Sequence, residues 1–226
     1  MFLKVDKSKL KVVAVSPEPL KSNEKFEVIE IETQETLPEF FVVRKSGEKI
    51  TVEELPPEEK QRVKQLKFQQ TKERLKRQLN LDARNRILQK LRELDWGETY
   101  EECIAELQNS AISTETEILY RLKPFKPDLT LTEIREKVAM FLAGNYTQQD
   151  FMNELSSLGI DTQAQPEILD LFRQAREIAE LLYWVEQVWK EVETLEKQID
   201  NAKDPSQLPS LEQGGMLWEQ FPPQTP

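Results

Sequence analysis

Side chains that could carry covalent or acid–base chemistry are few in this sequence. Cys103 is the only cysteine among 226 residues, and the sequence contains no histidine. Histidine is the commonest general base and a frequent metal ligand, so its absence removes most hydrolytic and metal-dependent mechanisms. Cys103 lies in YEECIAEL, between helix-forming residues. We expect it to be a small apolar residue on an inward helix face and not a nucleophile.

Two carboxylates acting together, as in glycoside hydrolysis, are the remaining candidates for catalysis. The adjacent pairs are Glu53 with Glu54 and Glu101 with Glu102. Neighbouring residues point apart on a helix, so neither pair would converge on one substrate atom. The sequence also has no glycine-rich phosphate loop and no metal-binding motif. We therefore expect a protein that is not an enzyme and needs no cofactor or metal.

A basic stretch, residues 60–78, raises the alternative of nucleic-acid binding. It reads KQRVKQLKFQQTKERLKRQ and contains eight basic residues. A solvated helix explains the same residues, because Glu58, Glu59 and Glu73 offset part of the charge. The formal net charge of the chain is −10, which disfavours a phosphate backbone as partner. We expect the solvated helix and no nucleic-acid partner, and RNA binding stays the alternative.

Composition favours a mostly helical chain with small cores. Hydrophobic residues make up 38% and charged residues 32% of the sequence. No stretch approaches the roughly 18 consecutive apolar residues of a membrane span, so we expect no membrane partner. The N-terminal residues lack the apolar middle region of a signal peptide, and this predicts synthesis and use in a cytoplasm.

Residues 1–56 are predicted to form a small antiparallel β domain. Short runs rich in Val, Ile and Phe alternate with polar or proline-containing breaks. FEVIEIE alternates apolar and acidic residues, which is typical of a strand with one face in water. A unit of this size is near the lower limit for an independent core.

The rest of the chain is predicted to be helical, in three parts. Residues 57–128 form a helical linker region, residues 129–201 a helical hairpin followed by a long amphipathic helix, and residues 202–226 an extended, proline-rich docking tail. Glycine at Gly97 and Gly144 marks helix ends. Helix starts are predicted from residues suited to N-caps and capping boxes: Asn80, Thr99, Thr114, Thr130 and Thr147.

The long helix, from Pro166 to about Asn201, carries a heptad pattern of apolar residues. One series is Ile168, Ala175, Leu182 and Trp189, and the other is Leu171, Ile178, Val185, Val192 and Ile199. Glu196 continues the first series and would weaken a seam near its end. The stripe is either the spine of a monomeric bundle or a seam between copies. Under the second alternative the protein-interface residues are Leu171, Ile178, Leu182, Val185, Trp189, Val192 and Ile199.

The tail adds three candidate interface residues. Leu217, Trp218 and Phe221 form, with Met216, an apolar cluster in an otherwise polar and proline-rich segment. Aromatic anchors on an extended segment are a common form of docking peptide. The alternative is that Trp218 folds back on its own chain.

Two terminal stretches resemble a known family. They are MFLKVDKSKLKVVAVSPEPLKSNEKFEVIEIE at the start and WVEQVWKEVETLEKQIDNAKDPSQLPSL near the end. Both are similar to small tail proteins of tailed bacteriophages. The second contains an I-x-x-A-x-x-x-x-x-L element, matched here by Ile199, Ala202 and Leu208. The central region, residues 57–165, resembles no family that we can name.

This resemblance implies a structural virion protein without enzymatic activity. Such a baseplate, fibre-adaptor or hinge protein would bind other virion tail proteins and form a homo-oligomer with trimer or hexamer symmetry. It would reside in the virion tail after synthesis in the host cytoplasm. The alternative that the resemblance implies is a tail-fibre assembly chaperone, which binds a fibre protein and is absent from the mature virion.

Overall fold

The fold is that of a mostly helical chain that begins with antiparallel β-structure. A computed structural model describes residues 1–32, 38–161 and 166–209. Its five strands precede its five α-helices, and this confirms the predicted α+β, mostly α class. The predicted docking tail beyond residue 209 lies outside the described residues.

The strands belong to two small antiparallel sheets. Their bounds are β1 Phe2–Asp6, β2 Lys11–Ser16, β3 Phe26–Glu30, β4 Phe41–Ser46 and β5 Lys49–Glu54. The first sheet has the order β2-β1-β3, and the second consists of β4 and β5. Between β1 and β2 the Asp6 carboxylate accepts hydrogen bonds from the backbone N–H groups of Ser8 and Lys9, at 2.9 and 3.0 Å. These bonds close the turn between β1 and β2, at one of the polar breaks expected between the strands.

The chain divides into two compact units, Met1–Glu73 and Arg74–Pro226. The core of the N-terminal unit is small, as expected. Its buried apolar residues are Leu3, Val5, Phe40, Phe41 and Ile50. The boundary falls inside a helix, whereas the predicted boundary at residue 56 marks the end of the strands.

The helices are α1 Pro57–Glu93, α2 Tyr100–Leu122, α3 Leu131–Leu142, α4 Gln148–Ser157 and α5 Pro166–Asn201. The prediction that Asn80 caps a new helix is wrong, because α1 continues through it. Leu79 and Ala83 are both buried and keep one face of α1 in the core on either side of this position. The Asn80 side chain donates to the Lys76 carbonyl oxygen at 2.9 Å instead of capping a helix start.

The capping boxes at Thr99, Thr130 and Thr147 are confirmed. In each, the threonine oxygen accepts from the backbone N–H three residues later, and that residue's carboxylate accepts in return. The box predicted at Thr114 is wrong: this residue lies inside α2 and is only 5% exposed. The helix stop predicted at Gly97 also differs from the structure. Asp95, two residues earlier, takes the left-handed conformation after α1, with φ of 60°.

Two apolar clusters form the core of the C-terminal unit, and α5 contributes to both. The first joins α5 to α1 and α2, and the second joins α5 to α2, α3 and α4. The turn between α3 and α4 is made by Gly144, whose φ of +71° favours glycine. The helical hairpin predicted between Thr130 and Gly159 is thereby confirmed, and α5 packs against it.

Candidate functional site

The central residues of the α5 stripe are buried by the chain itself. Ile178, Val185, Val192 and Ile199 are 1%, 8%, 2% and 0% exposed, and all four belong to the cluster shared with α1 and α2. Burying side chains of this size stabilises a fold by about 1.5–3 kcal/mol each. The bundle-spine alternative therefore accounts for these four residues within one chain.

The other three predicted interface residues of α5 lie at the flank of the stripe. Leu171, Leu182 and Trp189 are half-buried and pack against the apolar clusters. Positions 171, 182 and 189 fall within about 20° of one another around a helix, so they form a single flank. Of the seven predicted interface residues of α5, these three are therefore the ones that are not fully buried.

Trp189 is held by an aromatic contact with α2. Its indole Nε1 donates to the hydroxyl oxygen of Tyr100 at 3.0 Å, and the two rings meet edge to face at 6.4 Å. The Arg84 guanidinium lies 4.9 Å from the centre of the Tyr100 ring. Trp, Tyr and Arg are the residues that most often dominate binding at interfaces, yet here they also contact one another.

Two large buried residues of α5, Phe172 and Trp184, are absent from the predicted heptad series. They are 4% and 7% exposed. Phe172 stacks on Phe151 of α4, with ring centres 4.0 Å apart, and meets Phe141 of α3 edge to face. A single seven-residue period missed them because α5 packs against two different clusters, Phe172 in the one shared with α2, α3 and α4 and Trp184 in the one shared with α1 and α2. The two ends of α5 therefore bury different faces, and no single stripe includes both residues.

Glu196 occupies a partly buried position between α5 and α1. Its carboxylate accepts a hydrogen bond of 2.7 Å from the side-chain amide of Asn80. One turn further along, Asp200 of α5 forms an ion pair with Lys76 of α1. Glu196, which interrupts the heptad pattern, therefore has a hydrogen-bond partner on α1.

Lysines in the basic stretch of α1 have partners within the chain. Lys60 pairs with Glu54 at 2.8 Å, and Lys67 forms an ion pair with Glu39. The Lys64 ammonium lies 5.1 Å from the centre of the Phe40 ring, a favourable cation–π distance. These contacts attach the start of α1 to the strands of the N-terminal unit. They supply a structural role for basic residues that the sequence left open to RNA binding.

The carboxylates considered for catalysis also take part in structural contacts. Glu54 pairs with Lys60, and Glu53 lies 3.4 Å from the Arg44 guanidinium. Glu101 forms an ion pair with Arg84, and Glu102 completes the capping box of α2. Among the residues that the structure describes, no group of three or more potential ligands could hold a metal ion.

Cys103 lies in the core shared by α1, α2 and α5. Its side chain is fully buried, and this burial raises the pKa of its thiol. A raised pKa reduces the thiolate fraction at neutral pH, which is the reactive form. The position agrees with the expected apolar role on an inward face.

Partly buried charged contacts join α3 to α4 and to the turn between them. Glu154 forms an ion pair with Lys137 and accepts a hydrogen bond of 2.8 Å from the Tyr146 hydroxyl. Burial opposes ionisation of Glu154, but the hydrogen bonds from Lys137 and Tyr146 hold its pKa below the usual value. Burial and the neighbouring carboxylate raise the pKa of Tyr146. The arrangement fixes the hairpin and leaves Glu154 ionised at neutral pH.

No protein-family model matches this chain, and no curated protein or solved structure matches it either. None of the described helices is apolar over a long enough run to cross a bilayer. The three tail candidates, Leu217, Trp218 and Phe221, lie outside the described residues. The candidate site that the structure describes is thus the flank of α5 formed by Leu171, Leu182 and Trp189.

Proposed function

We propose that this chain is a non-enzymatic structural component of a bacteriophage tail, acting as a baseplate, fibre-adaptor or hinge protein. It links tail parts through the flank of α5 and through the C-terminal tail. It carries out this role as a homo-oligomer with other virion tail proteins as partners, in the virion tail after synthesis in the host cytoplasm.

The observation that carries this proposal concerns the residues of the phage-like C-terminal element. Ile199 and Ala202 are 0% and 6% exposed, and Leu208 packs against the same core of α1, α2 and α5. The I-x-x-A-x-x-x-x-x-L spacing therefore corresponds to a packed helix ending, in which each named residue has a physical role. A sequence spacing whose residues pack in the core supports the resemblance more strongly than the same spacing of solvent-exposed residues would.

A structural role is further supported by how the reactive side chains are used. The buried thiol and the carboxylates considered for catalysis are engaged in packing, capping and ion pairs. Charged contacts on α1 and aromatic contacts on α5 likewise connect elements of the chain.

Mass spectrometry of gradient-purified virions from a phage that encodes the chain tests this proposal. We expect its peptides in the virions at a fixed ratio to a known tail protein. The major capsid protein serves as positive control, and an abundant host cytoplasmic protein as negative control. Absence from virions, together with co-purification with a fibre protein from the lysate, would instead support the assembly chaperone.

A further inference from the structure

The N-terminal unit contains an apolar cleft between β2 and β4, with a volume of about 260 Å³. Its walls come from the start of β2, the 3₁₀ turn before β4, and β4 itself. The lining residues are Leu10, Lys11, Val12, Glu39, Phe41 and Val43. Four of these six side chains are apolar, and Leu10 is 36% exposed. The cleft therefore offers an apolar binding surface beside a small core.

Both strands that border the cleft are edge strands in the described part of the chain. β2 pairs with β1, and β4 pairs with β5. The register of β2 shifts opposite Lys4 and Val5, which leaves Val13 as an extra residue that is 50% exposed. Such a bulge, together with an exposed lysine at Lys11, discourages continuous strand pairing. We expect the cleft to bind side chains of an extended segment and not a long added strand.

The segment of the rim around Leu10 is basic. Lys11 lines the cleft, and both Lys11 and Lys9, which precedes Leu10 in the sequence, are exposed. Glu39, the acidic residue of the lining, already forms an ion pair with Lys67. A positive rim around apolar walls favours a segment that combines acidic and apolar residues.

The chain itself contains a segment of this chemistry, in its C-terminal tail. Residues 210–226 include Glu212 and Glu219, contain no Lys or Arg, and carry the apolar cluster of Met216, Leu217, Trp218 and Phe221. Counted from Pro209, a tail of this length reaches at most about 55–60 Å when extended. A single Trp or Phe side chain can bury about 150–250 Å², enough to act as an anchor.

We propose that the cleft between β2 and β4 receives the Trp218–Phe221 region of the tail from a second copy of the chain. The proposal rests on the function proposed above, because it names the surface that the docking tail recognises. A contact between two different surfaces is head-to-tail, and repeating it with a suitable rotation closes a ring. The homo-oligomer proposed above is the reason for placing the tail on a second copy.

A peptide titration followed by NMR tests this contact without truncating the protein. The receptor is the full-length, ¹⁵N-labelled chain carrying Trp218→Ser and Phe221→Ser, so that its own tail lacks both aromatic anchors. A synthetic peptide of residues 211–224 is added. We expect saturable shifts of the amide signals of residues 10–12 and 41–43. The same peptide with both aromatic residues replaced by Ser should bind at least tenfold more weakly.

A matched pair of receptor variants locates the site. Val43→Glu places a charge in the cleft and should weaken peptide binding at least tenfold. Val13→Glu places the same charge on the neighbouring edge strand outside the lining and should leave binding unchanged. Melting curves of both variants check that the fold is intact. If a cleft variant fails to fold, the native and Ser-substituted peptides still test the contact on a receptor whose cleft is unaltered.

The unaltered chain then decides which copy supplies the tail. Its cleft signals should move toward the peptide-bound positions as chain concentration rises, with a parallel increase of mass by light scattering. Absent cleft shifts with the peptide would overturn the proposal, and shifts independent of chain concentration would overturn docking on a second copy. Both results leave the virion experiment unaffected, so failure here is distinguishable from failure of the proposed function.

Discussion

At the scale of single residues, Glu133 connects three groups at the start of α3. Its carboxylate accepts from the backbone N–H and the hydroxyl of Thr130, at 2.9 and 3.0 Å, and pairs with Lys126 at 3.1 Å. The Thr130 backbone bond, followed by the Lys126 and Thr130 side chains, lowers the pKa of Glu133 to about 2. The ordinary pKa of this side chain is 4.5. Folding therefore favours the ionised form.

This shift predicts a contribution to acid sensitivity. A carboxylate whose pKa is lower in the folded state stabilises the fold fully above its unfolded pKa of 4.5, and the contribution is lost as pH falls toward about 2. Glu133→Gln removes the titrating group, so its melting temperature should fall less over this pH range than that of the unaltered chain. Glu136→Gln, an exposed change on the same helix, is the control. Equal acid sensitivity of Glu133→Gln and the unaltered chain would refute the role of Glu133.

Tyr146 supports a second residue-scale prediction, since it donates to the ionised Glu154. Tyr146→Phe keeps the ring but removes this hydrogen bond, and should lower the free energy of unfolding by about 1–2 kcal/mol. Urea denaturation followed by circular dichroism measures the change. Tyr120→Phe provides the control, because Tyr120 is 74% exposed. If the two substitutions lower the free energy of unfolding equally, the hydrogen bond to Glu154 does not contribute to stability.

At the scale of elements, three of the five predicted helix starts were correct. A threonine followed three residues later by a carboxylate located α2, α3 and α4, because both partners of the capping box are local in sequence. The same pattern failed at Thr114, whose surroundings are set by packing. Buried residues on both sides of it, such as Leu107 and Ile118, keep α2 in the core and override the local signal.

The cap of α2 gives an element-scale prediction. Thr99→Ala removes the side chain that accepts from the Glu102 backbone N–H and should cost about 1 kcal/mol of stability. Thr116→Ala in the same helix is the matched control. Thr116 lies in the helix interior, and its hydroxyl donates to the Ile112 carbonyl oxygen in the preceding turn, so alanine there should be neutral or slightly stabilising. Thermal melts of both variants measure the difference, and equal losses would argue against the cap.

The candidate site was less predictable than the helices. The sequence located the apolar stripe of α5, but a stripe has the same composition whether it packs inside one chain or against another. The buried state of Ile178 and Val185 depends on α1 and α2, which are distant in sequence. The partners of Lys64 and Lys67 likewise lie at residues 39 and 40 and follow from tertiary packing. Local patterns carry no information about such contacts.

At the scale of the whole molecule, the question is whether the α5 stripe also holds copies together. Val185→Asp tests it, because Val185 is 8% exposed within the core shared with α1 and α2. An uncompensated charge there should destabilise the chain by about 3 kcal/mol or more. Tyr183→Asp, at a position that is 48% exposed on the same helix, should have little effect.

Two measurements on these variants separate the alternatives. Urea denaturation reports stability, and size-exclusion chromatography with light scattering reports mass, which is 26.5 kDa for one chain. A bundle spine predicts lost stability with no change in the number of copies. Dissociation of a trimer or hexamer into folded single chains would instead place Val185 at a seam between copies.

The contact of Asn80 with Glu196 has a consequence for how α1 and α5 are aligned lengthwise. Apolar contacts alone would allow one helix to slide by one turn along the other, because each apolar side chain would then meet another apolar side chain. A slide of one turn, about 5.4 Å, would break the hydrogen bond between Asn80 and Glu196 and the ion pair between Lys76 and Asp200. These polar contacts therefore favour the observed lengthwise alignment of α1 and α5 over alignments that are shifted by one helical turn.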